Sequence, residues 1–313
     1  MNTRDVIFLA GHKGLVGSSV HKELNSQNFK NILTIEKKRI NLRNFEKLIK
    51  YFKNKKLDYI VMAAARAGGI LANSNNQKDF FFENIEIQNS LLKLAIYKKV
   101  KRVIFLGSSC IYPKFARNPI KEESLLTGKL EKTNECYAIA KIAGIKLCEA
   151  IFEKDNLDIV CLMPTNLYGI NDNFDKTNGH VIPSMISKFL EAKKLNKRSI
   201  QLLGTGKPIR EFLYVDDLSK LIAMMIKLPK KKLQKTYGKK LPILNVGSGE
   251  SVSIKELSKI ISKEVGYKGK IIFNKSFPDG TFKKNLNSNK IKKIGWKPII
   301  KLKSGINKVV SSL

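Results

Sequence analysis

Along the first half of the chain, short, largely apolar runs alternate with longer stretches in which apolar residues recur every three or four positions. The runs fall at residues 6–9, 32–35, 59–62, 103–106 and 158–162. Their length and the turn residues that bound them predict buried strands. The periodic stretches predict helices from the first glycine loop to about residue 27, over 44–52, over 78–98, and from Tyr137 to about residue 152. Strand and helix alternating in this way predict an α/β chain with a doubly wound parallel sheet. After Pro164 the period becomes irregular. Residues 181–192 are amphipathic, 210–217 lead into a helix ending near Pro229, 245–249 read as a strand-to-loop turn, and Ser253-Ile-Lys-Glu256 starts a helix with a capping box. The lysine run 230–232 reads as a solvated loop, and no internal repeat is present.

The first turn carries chemistry. Gly11-His-Lys-Gly-Leu-Val-Gly17 lies between a strand and a helix. Gly11 permits the tight turn, Gly14 lets a pyrophosphate approach the backbone, and Gly17 lets strand and helix pack closely. Free N–H groups at the helix start would hold the phosphates. The sheet is therefore expected to be of Rossmann type, over residues 1–165, with part of about 204–247 returning to it. The rest of 166–313 is expected to form mainly a smaller C-terminal substrate lobe. The second strand ends in Glu36-Lys-Lys-Arg39. An acid there commonly accepts the ribose hydroxyls of NAD, while basic residues accommodate the 2′-phosphate of NADP. Lys13, Lys37, Lys38 and Arg39 favour NADP(H) and Glu36 opposes it, so the reading leans to NADP(H). The small residues of 63–69 suit backbone passing close to a cofactor.

Between Ser108 and Lys141 lies a second candidate constellation. Leu106-Gly-Ser-Ser-Cys110 puts Ser108 and Cys110 at the carboxyl end of a strand, where open α/β sheets place ligands. Tyr137 and Lys141 are four apart on a helix and share a face. A neighbouring ammonium favours the phenolate and is expected to lower the phenol's pKa, making Tyr137 an acid/base group assisted by Ser108. Alone, such a Tyr–Lys spacing is common on exposed helices; the glycine loop and Ser108 give it company. Read from the residues alone, Cys110 is a small buried filler and His180 a satisfied surface histidine.

Composition changes this picture little. The chain has 313 residues, 43% hydrophobic and 27% charged, which suits a globular protein with a sizeable core. Met1-Asn-Thr-Arg-Asp5 leads straight into a strand without a signal-peptide pattern, and no run approaches about 20 apolar residues. A soluble, cytoplasmic protein with no membrane partner is expected. Cys110, Cys136, Cys148 and Cys161 show no Cys-x-x-Cys pairing, and His12, His21 and His180 are scattered, so no metal site is expected. The net charge of +33 invites a nucleic-acid reading. Yet the lysines are spread along the chain without a recognised binding motif. No dedicated nucleic-acid partner is expected, and attraction of a polyanionic substrate accounts for the charge equally well.

Together, the Gly11/Gly14/Gly17 loop, Ser108 and the Tyr137/Lys141 pair resemble the extended short-chain dehydrogenase/reductase superfamily. Leu106-Gly-Ser-Ser-Cys-Ile-Tyr-Pro-Lys114, Tyr137-Ala-Ile-Ala-Lys141 and the residues to Glu149, Met163-Pro-Thr-Asn-Leu-Tyr-Gly169, His180-Val-Ile-Pro183, Arg210-Glu-Phe212 and Pro278-Asp-Gly-Thr281 narrow the resemblance to the GDP-L-fucose synthase family. It covers nearly the whole chain. It implies 3,5-epimerisation of GDP-4-keto-6-deoxy-D-mannose, then reduction of the C4 ketone with NADPH. Inversion beside a ketone needs a proton removed from one face and returned to the other, hence two acid/base groups. The resemblance makes Cys110 the base and His180 the acid, with Tyr137, Ser108 and Lys141 serving the reduction. Ordinary thiols and imidazoles, titrating near roughly 8.5 and 6.5, suit these roles.

It also implies cofactor contacts at Gly11, His12, Lys13, Gly14, Leu15, Val16, Gly17, Lys37, Asn41, Leu42, Leu106, Gly107, Ser108, Ser109, Lys141, Pro164, Thr165, Asn166, Leu167 and His180. Substrate contacts are implied at Lys188, Leu203, Arg210 and Asp279. The planar fork of Arg210 independently suits a diphosphate. Lys188 stands where the family usually has Arg, Leu203 where it has Trp, and Cys136 where it has Pro. A homodimer through helices 78–98 and 137–152 is implied as well. The runner-up is another nucleotide-sugar epimerase or dehydratase of the same superfamily, which would need neither Cys110 nor His180.

Overall fold

The computed structural model describes residues 4–277 and 279–313; Pro278, in the segment 278–281, lies outside them. The first half builds β1 (Ile7–Ala10), α1 (Leu15–Ser26), β2 (Ile32–Leu33), α2 (Phe45–Phe52), β3 (Tyr59–Met62), α3 (Ile70–Asn75), α4 (Gln77–Tyr97), β4 (Arg102–Leu106), α5 (Glu135–Lys154) and β5 (Ile159–Pro164). There follow β6 (Asn166–Tyr168), α6 (Val181–Lys194), β7 (Ser199–Leu203), β8 (Ile209–Tyr214), α7 (Val215–Lys227), α8 (Lys230–Tyr237) and β9 (Ile243–Val246). The chain closes with β10 (Ser251–Ser253), α9 (Ile254–Val265), β11 (Lys270–Asn274), β12 (Lys283–Lys284), α10 (Asn289–Lys293) and α11 (Leu302–Val310).

Six strands form one parallel sheet in the order β2-β1-β3-β4-β5-β9. Successive side chains of a strand point to opposite faces, and the core divides accordingly. Phe8, Ile60, Met62, Val103, Phe105 and Ile159 join one apolar cluster with residues of α2, α4 and α5. Ile7, Leu9, Val61, Ile104, Val160 and Leu162 join a second with residues of α1 and α7. Fully apolar strands were legible as such because both faces are covered.

β9 is the part of the second half that returns to the sheet, beside β5. A separate lobe has its own core, with residues of α6, α9, α11 and β8. In that lobe β8 carries β10, β12 and β6, while β7 pairs with β11. One expectation fails here: residues 230–232 are not a loop but the first turn of α8. Pro229 precedes that helix, and its Leu233 is buried in the second cluster. Leu233 and, one turn later, Tyr237, packed on the same cluster, outweigh the local lysine density.

Candidate active site

The chain steps outward from β1 to β2 and then back across β1 to β3, so the carboxyl ends of β1 and β3 flank a crevice of the kind where doubly wound sheets bind ligands. The glycine loop forms its floor. Gly11 has φ +88°, and a Cβ there would lie 2.6 Å from the Ala64 backbone nitrogen. A Cβ on Gly17 would lie 2.0 Å from the Gly11 carbonyl oxygen. Both positions are closed to side chains. At Gly14 a Cβ would meet only the Gly11 oxygen, at an ordinary 3.5 Å. That open side fits an approaching phosphate. α1 has neither a side-chain cap nor an acid in its first turn, which leaves the N–H groups of Leu15, Val16 and Gly17 for an anion.

At the end of β2, Glu36 is taken up by Lys13 at 2.8 Å and Lys38 at 3.4 Å. The Lys13 hydrogen bond chiefly holds its carboxyl below the usual range. Lys37 makes no ion pair among the described residues, and the Arg39 guanidinium lies 5.3 Å over the Tyr51 ring. The acid that argued for NAD is thus already neutralised, and the corner is basic. His12 is pushed down chiefly by burial. Asn41 Oδ1 accepts the Arg43 N–H at 3.1 Å, and Leu42 packs on the first apolar cluster.

β4 delivers the reacting groups. Ser108 has extended backbone and caps a single 3-10 turn, its Oγ accepting the Cys110 N–H at 3.2 Å. Ser108 also hydrogen-bonds the Tyr137 phenol. The Asn134 amide lies 3.2 Å from the Cys110 sulfur, and Lys141 Nζ donates to the Leu106 carbonyl at 2.9 Å. The exit of β4 and the start of α5 are therefore tied together by five side chains, those of Ser108, Cys110, Asn134, Tyr137 and Lys141. Phe80 packs edge-on to Tyr137 with ring centroids 6.3 Å apart, and the Arg66 guanidinium lies 5.3 Å over Phe80.

The expected lowering of the phenol's pKa does not occur. Burial pushes Tyr137 well above its usual value, the Cys110 charge raises it further, and the Ser108 hydrogen bond opposes only in part. The Lys141 nitrogen is 5.9 Å from the Tyr137 ring centroid and is engaged with Leu106. Burial pushes Lys141 itself down to about 8. At neutral pH the phenol is a proton donor, as a reduction requires.

Lys141 gives a stability prediction. At about 1.4 kcal/mol per pH unit, holding this amine charged inside the fold costs up to roughly 3 kcal/mol. Its folded pKa lies below its unfolded one, so the penalty is complete below about pH 8 and disappears as pH rises toward 10.5. Lys141→Met is therefore expected to stabilise the protein at pH 7 in urea unfolding. Its advantage over wild type should shrink between pH 8 and 10.5. An advantage independent of pH would contradict the assignment.

The lobe supplies the opposite wall. Arg210 on β8 donates to its own Ile209 carbonyl at 2.9 Å, burial pushes it down, and the charges of Cys110, Asp279 and Glu131 act on it. A Cβ on Gly280 would lie 3.4 Å from Arg210 Nη2 and 3.8 Å from Ile70 Cδ1, so lobe and sheet meet here. Lys188 on α6 is pushed down by burial and has no ion pair among the described residues. Asp279 is engaged by Thr205, whose N and Oγ1 donate at 3.0 and 2.5 Å. Leu203 is 40% exposed at the end of β7. Beyond Pro164, Thr165 Oγ1 and Asn166 Nδ2 donate to the Glu211 carbonyl at 3.0 and 2.8 Å, and Leu167 packs on the second cluster. His180 stands at the N-terminus of α6, in a loop whose Asn178 carbonyl accepts the Gly69 N–H at 2.9 Å.

Sequence reading missed Asn134 and Phe80. The first carries a weak signal, an Asn one turn before Tyr137; the second carries none. Among the described residues no group of three or more His, Cys, Asp or Glu is placed to hold a metal ion. No helix of the described residues is long and apolar enough to cross a membrane.

Known proteins match this arrangement. The model of the NAD dependent epimerase/dehydratase family covers residues 7–247. GDP-L-fucose synthase 1 of Arabidopsis thaliana is 42% identical over 301 residues, 96% of this chain and 90% of that protein. GDP-L-fucose synthase of Escherichia coli (strain K12) is 40% identical over 300 residues, 96% of this chain and 94% of that protein. In structure, the GDP-mannoheptose C4 reductase of Campylobacter jejuni with NADP bound superimposes with a TM-score of 0.88 at 32% identity, covering 100% of this chain and 99% of that one. The chain belongs to the NAD dependent epimerase/dehydratase family.

Proposed function

We propose that the protein carries out GDP-L-fucose synthase chemistry: it inverts C3 and C5 of GDP-4-keto-6-deoxy-D-mannose and then reduces the C4 ketone with NADPH. One observation supports this above the others. Cys110, for which a plain ketone reductase has no use, lies outside the apolar cores, with its N–H on Ser108 Oγ, the Asn134 amide 3.2 Å from its sulfur, and its charge acting on Tyr137 and Arg210.

NADPH supplies the hydride. The glycine loop and the start of α1 hold its pyrophosphate, and Lys13, Lys37, Lys38 and Arg39 suit a 2′-phosphate better than a free ribose. Lys141 holds the nicotinamide ribose. Arg210 and Lys188, which make no carboxylate ion pair among the described residues, take the GDP diphosphate. The ketone acidifies the hydrogens on its neighbouring carbons. Cys110 removes such a proton from one face while Tyr137 and Ser108 hold the enolate oxygen, and His180 returns a proton to the other face. After inversion, Tyr137 donates its proton to the same oxygen as C4 becomes tetrahedral. The protein is a cytoplasmic homodimer in this reading, paired through α4 and α5, which leave Phe82, Tyr97 and Ile139 exposed.

The test is incubation of the protein with GDP-4-keto-6-deoxymannose and NADPH in D2O. Loss of NADPH absorbance, GDP-L-fucose as product, and deuterium at both C3 and C5 are expected. NADPH consumption without deuterium at those carbons would leave a C4 reductase. Steep salt-dependent RNA or DNA binding, displaced by neither NADPH nor a GDP-sugar, would favour a nucleic-acid partner.

A further inference from the structure

We propose that Asp172 is a positioning residue that fixes the tautomer and orientation of His180. The inference rests on the proposed function, which makes His180 the acid of the epimerisation, and it adds the group that makes that acid competent.

Two unpaired atoms carry it. Asp172 lies in the loop between β6 and α6, with its side chain only 4% exposed. Its Oδ1 accepts the Asn173 N–H at 2.8 Å and stands 3.5 Å from His180 Nδ1. Among the described residues its buried Oδ2 has no hydrogen-bond partner, and neither has His180 Nδ1. Buried polar atoms left unpaired are uncommon and costly, on the order of 1–3 kcal/mol each. The approach of the two groups, 3.5 Å from Nδ1 to Oδ1, is a few tenths of an ångström longer than a hydrogen bond, and the second oxygen of the same carboxylate has no partner among the described residues. Catalytic hydrogen bonds are often long before substrate enters and tighten in the complex.

The loop is built to hold that separation. Asp175 Oδ1 accepts the N–H groups of Thr177 and Asn178 at 2.9 and 2.5 Å, and Gly179 N–H donates to the Asp175 carbonyl at 3.0 Å. Asn171 Nδ2 reaches Ser18 Oγ on α1 at 3.2 Å, and Gly69 N–H reaches the Asn178 carbonyl at 2.9 Å. Both ends of the loop are therefore fastened to the walls of the cofactor crevice. The backbone of His180 caps α6, but its side chain makes no cap hydrogen bond. With Nδ1 turned to Asp172, Nε2 lies on the opposite edge of a ring that is 41% exposed. A carboxylate accepting the Nδ1 proton selects one tautomer, keeps Nε2 as the exchanging atom, and compensates the charge of the imidazolium that delivers the proton. No bond other than that N–H is involved, and no proton passes to Asp172.

Two measurements test this. In 15N NMR of the imidazoles, wild-type His180 should show the Nδ1-protonated form when neutral, and Asp172→Asn should shift it toward Nε2-protonated. In turnover, Asp172→Asn should lower kcat for GDP-L-fucose roughly 10- to 100-fold, less than the 10²–10⁴ that a positioned acid supplies, because His180 itself remains. KM for the GDP-sugar and the midpoint of thermal unfolding should stay near wild type, and Asp172→Glu should restore part of the rate. The double variant Asp172→Asn/His180→Gln should be no slower than His180→Gln alone. An unchanged tautomer in Asp172→Asn, an unchanged kcat, or additive losses in the double variant would each overturn the proposal. A wild-type protein that yields no GDP-L-fucose while its His180 tautomer still depends on Asp172 would instead overturn the proposed reaction and leave the pairing standing.

Discussion

Cys110→Ala is expected to lose formation of GDP-L-fucose by roughly 10²- to 10⁴-fold, the range that a positioned proton-transfer group supplies. The loss should be confined to carbon chemistry. Cys110 sits on a 3-10 turn whose cap, Ser108, is a different residue, and its sulfur is held by Asn134. Removing one sulfur atom from this partly open position leaves the Ser108–Tyr137 contact and the Lys141–Leu106 bond in place. Binding of NADPH and of the GDP moiety should therefore survive. So should part of the hydride transfer, now onto a sugar whose neighbouring carbons have not been inverted. In D2O the variant should return substrate and product without deuterium at C3 and C5. The product that accumulates should be the uninverted 4-hydroxy sugar. Deuterium incorporation at the wild-type rate would show that another group is the base and would remove the strongest support for the proposed function.

Sheet and site were unequally legible in the chain. Four of the five early strands could be read because both faces of a parallel sheet are covered, so they appear as apolar runs such as Ile7 to Ala10. The edge strand β2 is half-buried and takes up only Ile32–Leu33 of the expected 32–35. The capping box at Ser253 and Glu256 could be read because it is a local exchange of two hydrogen bonds, both formed. α8 was missed because its apolar contacts, Leu233 and Tyr237 one turn later, are only two among lysines, too few to show a period. The lobe's cleft wall was less legible still. What places Arg210 there is β8 carrying three other strands, two of them from the last 70 residues, and no local pattern states such pairings. The glycine loop and the Tyr137–Lys141 spacing pointed to the right groups. The charge state within that pair did not follow from spacing, because burial is the largest influence on both residues.

That reversal shapes the second large effect, Tyr137→Phe. A phenol whose pKa had been drawn down toward neutrality would exist partly as phenolate, and the reduction would slow as pH rose through that value. In this site burial holds the phenol protonated, and the Ser108 hydrogen bond orients it. Deleting the hydroxyl therefore removes the proton donor at every pH in the working range. It also leaves Ser108 Oγ as the sole group beside the ketone oxygen. NADPH oxidation should fall roughly 10²- to 10⁴-fold, with little change in the pH dependence of what remains between pH 6 and 8. The Phe80 edge contact and the helix face are preserved by the phenylalanine ring, so the midpoint of thermal unfolding should hold or rise slightly, since a buried polar group is lost. Exchange of deuterium at C3 and C5 should weaken less than hydride transfer, because Ser108 still contacts the enolate oxygen and Cys110 still removes the proton. A wild-type reductase rate that instead declines with an apparent pKa near 7, and a variant that loses that decline, would show the phenolate to be the working form and would reverse the direction of proton transfer argued for Tyr137.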